Sequence, residues 1–205
     1  MAKTSKHASP PSSDIPCPFL RALAADGLLS EQAEPIGKVA DVVATVAARG
    51  EGQPVLPRAV IAGVALVAHG LGPLALMTTR LRGLRLIGLR GGPLDKRGVG
   101  SGILDAHGQV DVAQLARLRD FAKPYRSAAG RAEPGLGLPE LTRFMDANFE
   151  RAAGRRRLID RAMMNAEWPV LLKVMGRSGP QGRHLRLADV ETLFTQRRLP
   201  THLRG

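Results

Sequence analysis

Ala59–Met77, reading AVIAGVALVAHGLGPLALM, carries no charged side chain. An uncharged apolar run of that length could span a bilayer as one helix. Its interruptions decide against that: Gly63, Gly70, Gly72 and Pro73 break the run, and His69 sits inside it. The expectation is two buried helices joined at Gly70-Leu71-Gly72-Pro73, the second ending in Arg80-Leu81-Arg82. Those helices would wall an interior pocket rather than cross a membrane.

Outward from this stretch the same period recurs. Val39, Val42, Val43 and Val46 stand at i, i+3, i+4 and i+7, one face of an amphipathic helix that the run 49–54 then breaks. Phe19, Leu20 and Leu23 set a shorter helix that Asp26-Gly27 stops. Gly91–Gly108 reads as a long glycine-rich loop, and Val110–Phe121 as a helix. A Pro/Gly/Ala-rich linker runs on through Gly137. Leu138, Leu141, Met145 and Phe149 begin the next helix. Leu158, Ala162, Ala166 and Val170 mark another, kinked at Pro169, and Leu187, Val190 and Phe194 close the chain. No hairpin signal and no internal repeat stand out. The fold class expected is all-α: one compact helical domain over 15–205 behind a disordered polar tail over 1–14.

Composition bounds the function. Hydrophobic residues are 44% of the 205, enough for a core, but aromatics are only 3%. Single-stranded nucleic-acid binders stack bases on aromatic platforms, and one Trp and one Tyr make a poor platform. The net charge of +12 favours anionic partners in general, yet no nucleic-acid signature accompanies it. No specific nucleic acid is therefore expected, and an anionic membrane surface is a secondary reading. The N-terminal segment is basic without an apolar core, unlike a signal peptide, so a cytoplasmic chain is expected.

The sole cysteine, Cys17, lies between Pro16 and Pro18 just ahead of a helix. A thiolate at a helix N-terminus is stabilised by unpaired amides and the helix dipole. A thiolate bound to iron pushes electron density toward the metal and favours O–O cleavage. A buried, inert cysteine is the plainer alternative. Ile15-Pro16-Cys17-Pro18-Phe19-Leu20 with Leu23-Ala24-Ala25-Asp26-Gly27 resembles the opening of the haem-thiolate peroxidase family, which includes chloroperoxidases and unspecific peroxygenases. The apolar pair around Gly70–Pro73 and the closing Leu185–Phe194 with Leu199-Pro200 are similar to other parts of that family. The resemblance implies haem b, with Cys17 as axial ligand to the iron and Pro16 and Pro18 fixing its backbone.

A second group is Asn165-Ala166-Glu167-Trp168-Pro169. A carboxyl in a mostly apolar helix is desolvated and keeps its proton to higher pH. Such a group can carry a proton between the two oxygens of a peroxide. The family places its distal glutamate within an Ala-Glu pair in this part of the chain, so the resemblance makes Glu167 the catalytic acid-base residue. The arginine that assists it in peroxygenases would fall near Asp160, beside Arg157 and Arg161. A surface carboxylate paired with Lys173 or Arg161 is the competing account.

The family's magnesium loop is where this chain departs. Lys96-Arg97-Gly98-Val99-Gly100-Ser101 retains only the serine, Ser101, and lacks the carboxylates, which counts against magnesium. Arg97 or Lys96 is the candidate to neutralise a haem propionate directly. Ser101–Gly108 and Glu167-Trp168 also resemble segments of caleosins, peroxygenases with histidine-bound haem and an EF-hand. The loop 48–59 offers only Glu51 as a carboxylate, which disfavours calcium. His69 reads as a core or boundary residue and His107 and His184 as turn residues, with no zinc spacing. Arg155-Arg156-Arg157 is a basic cluster at a helix start. The function expected is peroxide-driven oxidation of a small organic substrate. The alternatives are a haem-free helical scaffold or a basic module that binds membranes or polyanions.

Overall fold

Helix α1, Pro18–Ala25, ends where Gly27 adopts φ +71°, a left-handed turn that glycine enters without a Cβ penalty. The computed structural model describes residues 12, 14–50, 57–70, 72–95, 100–152 and 158–204, with backbone alone for 158–159 and 162–166. The expected tail over 1–14 otherwise falls outside them. Ser12 itself is tied down, its amide donating to Glu31 Oε1 at 2.7 Å.

Helix α2, Ile36–Ala48, buries Val39, Val43 and Val46 on the face that the valine spacing defines. Helices α3, Arg58–His69, and α4, Pro73–Arg82, form the hairpin expected around Gly70–Pro73. Helix α5, Val112–Phe121, is capped by Asp111, whose side chain accepts from Gln114 N. Helices α6, Leu138–Arg151, and α7, Leu158–Met175, follow. Pro169 lies inside α7, which continues through it. Helix α8, Leu187–Glu191, runs into one π-helical turn, Thr192–Gln196.

The core forms where α1, α2, α6, α7 and α8 meet. Leu141, Phe144 and Met145 of α6 project at i, i+3 and i+4, all almost fully buried. The Phe144 ring meets Phe121 and Trp168 edge-on, at 5.4 and 6.1 Å between centroids. Each large apolar side chain so buried contributes about 1.5–3 kcal/mol. With few aromatics, leucine and valine fill most of the remaining interior.

The all-α expectation is overturned by a three-stranded antiparallel sheet. Strands β1, Lys123–Arg126, and β2, Ala132–Leu136, form a hairpin, and β3, Leu185–Arg186, pairs with the other edge of β2. This is the segment read above as a linker, and its prolines explain the error. Pro normally argues against a strand because it cannot donate to the ladder. Here Pro124 stands directly opposite Pro134. Ser127 N bonds Arg131 O at the turn, so alternation makes 124 and 134 a non-hydrogen-bonded pair, where a missing N–H costs nothing. The protein is mixed helix and sheet.

A second correction concerns α3 and α4, expected to be buried. No residue of α3 is fully buried, and only Thr79 of α4 is. No helix among the described residues is long and apolar enough to cross a membrane.

Candidate functional site

Cys17 is the N-cap of α1, with extended backbone (φ −93°, ψ 119°) and Pro18 at the first helical position. Proline suits that position because its missing N–H would be an orphan there anyway. The Cys17 carbonyl accepts from Arg21 N at 3.0 Å, which closes the first turn. The thiol does not cap the helix, and it sits half-buried against the core.

One turn on, Arg21 is 1% exposed. Its Nε donates to Ile15 O at 2.5 Å and its Nη1 to Gly108 O at 2.7 Å. These bonds lash the segment before Cys17, α1 and the 103–110 loop together. Burial and the nearby charges of Arg197 and Arg90 push the Arg21 guanidinium down to about 10, while Cys17 and Asp14 pull it back up. The thiol therefore lies within electrostatic reach of one buried cation, Arg21. The sequence reading missed Arg21. Its signal was present, since it stands four residues after Cys17, one helical turn away.

The closing segment packs on the same helix. The turn 192–196 lies against α1, Leu199 N donates to Asp26 Oδ2 at 3.4 Å, and Arg198 Nε stands 3.7 Å from Asp26 Oδ1. The two ends of the chain that carry the sharpest resemblance therefore meet in space.

Glu167 lies half-buried on α7, beside Trp168, which is 2% exposed. Trp168 Nε1 is buried and makes no hydrogen bond among the described residues. Arg161 pairs with Asp146 and stacks 4.8 Å over Phe149. Asp160 is 1% exposed. Ser101 sits in the loop before Ile103, its carbonyl accepting from Gln114 Nε2 at 2.8 Å and Asn148 Nδ2 at 2.7 Å. Its position is set by α5 and α6, not by α1. Arg97 and Lys96, like Arg155-Arg156-Arg157, lie outside the described residues.

His69 joins α3 to α4 through Thr79, with Nδ1 and Oγ1 2.8 Å apart. His184, expected in a turn, is instead completely buried. It stacks on Tyr125 at 4.5 Å and lies 3.1 Å from Glu133 Oε1. Among the described residues no three or more His, Cys, Asp or Glu side chains are grouped to hold a metal ion. An axial thiolate needs one protein ligand only, and a half-buried, Pro-flanked cysteine at a helix N-terminus beside a buried cation fits that donor role. An open groove of about 590 Å³ runs between the hairpin, α5 and α8, bordered by Arg119, Pro134 and Leu187. Neither Cys17 nor Glu167 lines it, and neither do α3 and α4, contrary to the expected pocket wall. Comparison of the chain with protein-family models, curated proteins and solved structures finds no match.

Proposed function

We propose that this chain is a haem-thiolate peroxidase-like oxidoreductase that uses hydrogen peroxide to oxidise a small organic substrate. The observation that carries the reading is Cys17: the only thiol, fixed between two prolines at the N-terminus of α1 and set beside buried Arg21. When bound, haem would supply the redox centre at which the peroxide O–O bond is cleaved. Cys17 would hold its anionic form for the iron, helped by the amides of α1 and by the charge of Arg21. Glu167 would hold and move the peroxide proton from a half-buried position on α7. A reducing compartment such as the cytoplasm would keep the single thiol available.

The test is the visible spectrum of the haem-reconstituted full chain, reduced and exposed to carbon monoxide. A red-shifted Soret band is expected, lost in Cys17→Ala and retained in Glu167→Gln. Glu167→Gln should lower peroxide turnover by about 100-fold or more. The same spectrum in Cys17→Ala removes the ligand assignment. No stable haem band in the wild type leaves a haem-free scaffold.

A further inference from the structure

Independently of the thiolate site, the α3–α4 hairpin shows a surface that needs a partner. Nine large hydrophobic side chains are exposed among the described residues, and six of them stand on these two helices. Val60 and Val64 lie one turn apart on α3, at 51% and 55% exposure. Leu74, Met77 and Leu81 lie at i, i+3 and i+7 on α4, at 72%, 55% and 74%. The opposite faces are already used. Ile61, Ala65 and Ala68 pack α3 onto the core, and Thr79 turns α4 toward His69. The exposed stripes are therefore the outward faces of a hairpin that is held from behind. A concentration of exposed apolar side chains of this kind marks an interaction site.

Charge selects the partner. From Gly52 to Leu94 there is no acidic residue, while Arg58, Arg80, Arg82, Arg85 and Arg90 all fall in this span. On the helical wheel of α4, Arg80 and Arg82 lie to either side of the Leu74–Met77–Leu81 stripe, each about 100° from it. Arg58 and Arg90 pair with Asp41 and Asp95 from outside the span, so the rim of the stripe is set by Arg80 and Arg82, and a protein partner would have to match both stripe and rim. An anionic bilayer surface supplies both, acyl chains for the stripe and phosphates for the rim. The described helices are too short and too polar to cross, so the geometry is interfacial.

We propose that the α3–α4 hairpin docks the protein on anionic phospholipid membranes, with Leu74, Met77 and Leu81 inserted among the headgroups and Arg80 and Arg82 on the phosphates.

The experiment is flotation of the purified full chain with vesicles of mixed phosphatidylcholine and phosphatidylglycerol, against phosphatidylcholine alone. Binding to the mixed vesicles is expected, weakening with salt. Met77→Asp with Leu81→Asp should reduce it on the order of tenfold or more, and so should Arg80→Glu with Arg82→Glu. All four side chains are exposed, and unchanged circular dichroism confirms that each variant is folded. Three results overturn the proposal. These are no flotation of the wild type, binding indifferent to the apolar pair, or a wild-type dimer that the apolar pair alone converts to monomer.

Discussion

Arg21 shows how one side chain can carry a whole corner of the structure. Its guanidinium satisfies the carbonyls of Ile15 and Gly108, which are 93 positions apart in sequence, while it remains almost fully buried. Arg21→Met keeps the stem but leaves both carbonyls without their donor, and should cost about 2–5 kcal/mol. Chemical denaturation would check this, with a loss under 1 kcal/mol showing that water replaces the guanidinium. Glu140 plays a matching part at the foot of the hairpin. It accepts from Tyr125 Oη at 2.8 Å, Gly137 N at 3.1 Å and Lys123 Nζ at 3.0 Å. Burial alone would raise its pKa, but the bonds from Tyr125 and Lys123 outweigh that and hold it below 4.5. A lowered carboxylate pKa stabilises the fold above the unfolded value, and that stability is lost as pH falls through the folded one. Tyr125 is shifted the other way, up to about 12, first by burial and then by Glu140. Its contribution is complete below pH 10 and lost as pH rises toward 12. Denaturant midpoints followed across pH should show an acid-side decline that Glu140→Gln flattens and an alkaline-side decline that Tyr125→Phe flattens. Unchanged slopes in both variants would place the pH dependence elsewhere.

At the scale of elements, the hairpin depends on a glycine at Gly135. A Cβ there would sit 2.7 Å from His184 Cδ2 and 3.0 Å from Tyr125 Cδ2, inside the stacked ring pair. Gly135→Ala should therefore cost about 1–3 kcal/mol, checked by thermal unfolding, whereas a neutral substitution would mean the rings part freely. The helices were legible because 3.6-residue periodicity leaves a mark even in an aromatic-poor chain. Val39, Val43 and Val46 are buried as their spacing requires, and Gly27 ends α1 where expected. The sheet was not legible. Its prolines count against a strand until the register shows them paired across a position that needs no donor. Cys17 at a helix start could be read from Pro16 and Pro18. The charge around Arg21 could not, because Arg90 and Arg197 reach its guanidinium only through tertiary packing. The exposure of α3 and α4 was equally hidden, since hydrophobicity predicts burial and says nothing about which surface remains unpartnered.

Across the whole molecule, the fold divides its work between a stapled end and an open one. The thiol and Arg21 belong to α1, which meets the closing turn, and the hairpin of α3 and α4 extends apolar stripes into solvent. If both proposals hold, haem retention and vesicle binding will respond to separate substitutions: Cys17→Ala should leave flotation intact, and Met77→Asp with Leu81→Asp should leave the Soret band intact. Loss of both properties in either variant would show the two regions to be one cooperative unit. The junction between Asp26 and Leu199 has a consequence in time. Its partners are 173 positions apart. At ribosomal speeds α1 waits about 10–35 s for the strand of chain that covers it. Throughout that interval α1 lacks the closing turn that packs on it and the partners of Asp26. Limited proteolysis of ribosome-stalled chains, efficient within Pro18–Ala25 when synthesis stops before Leu187 and suppressed after release, would reveal that window.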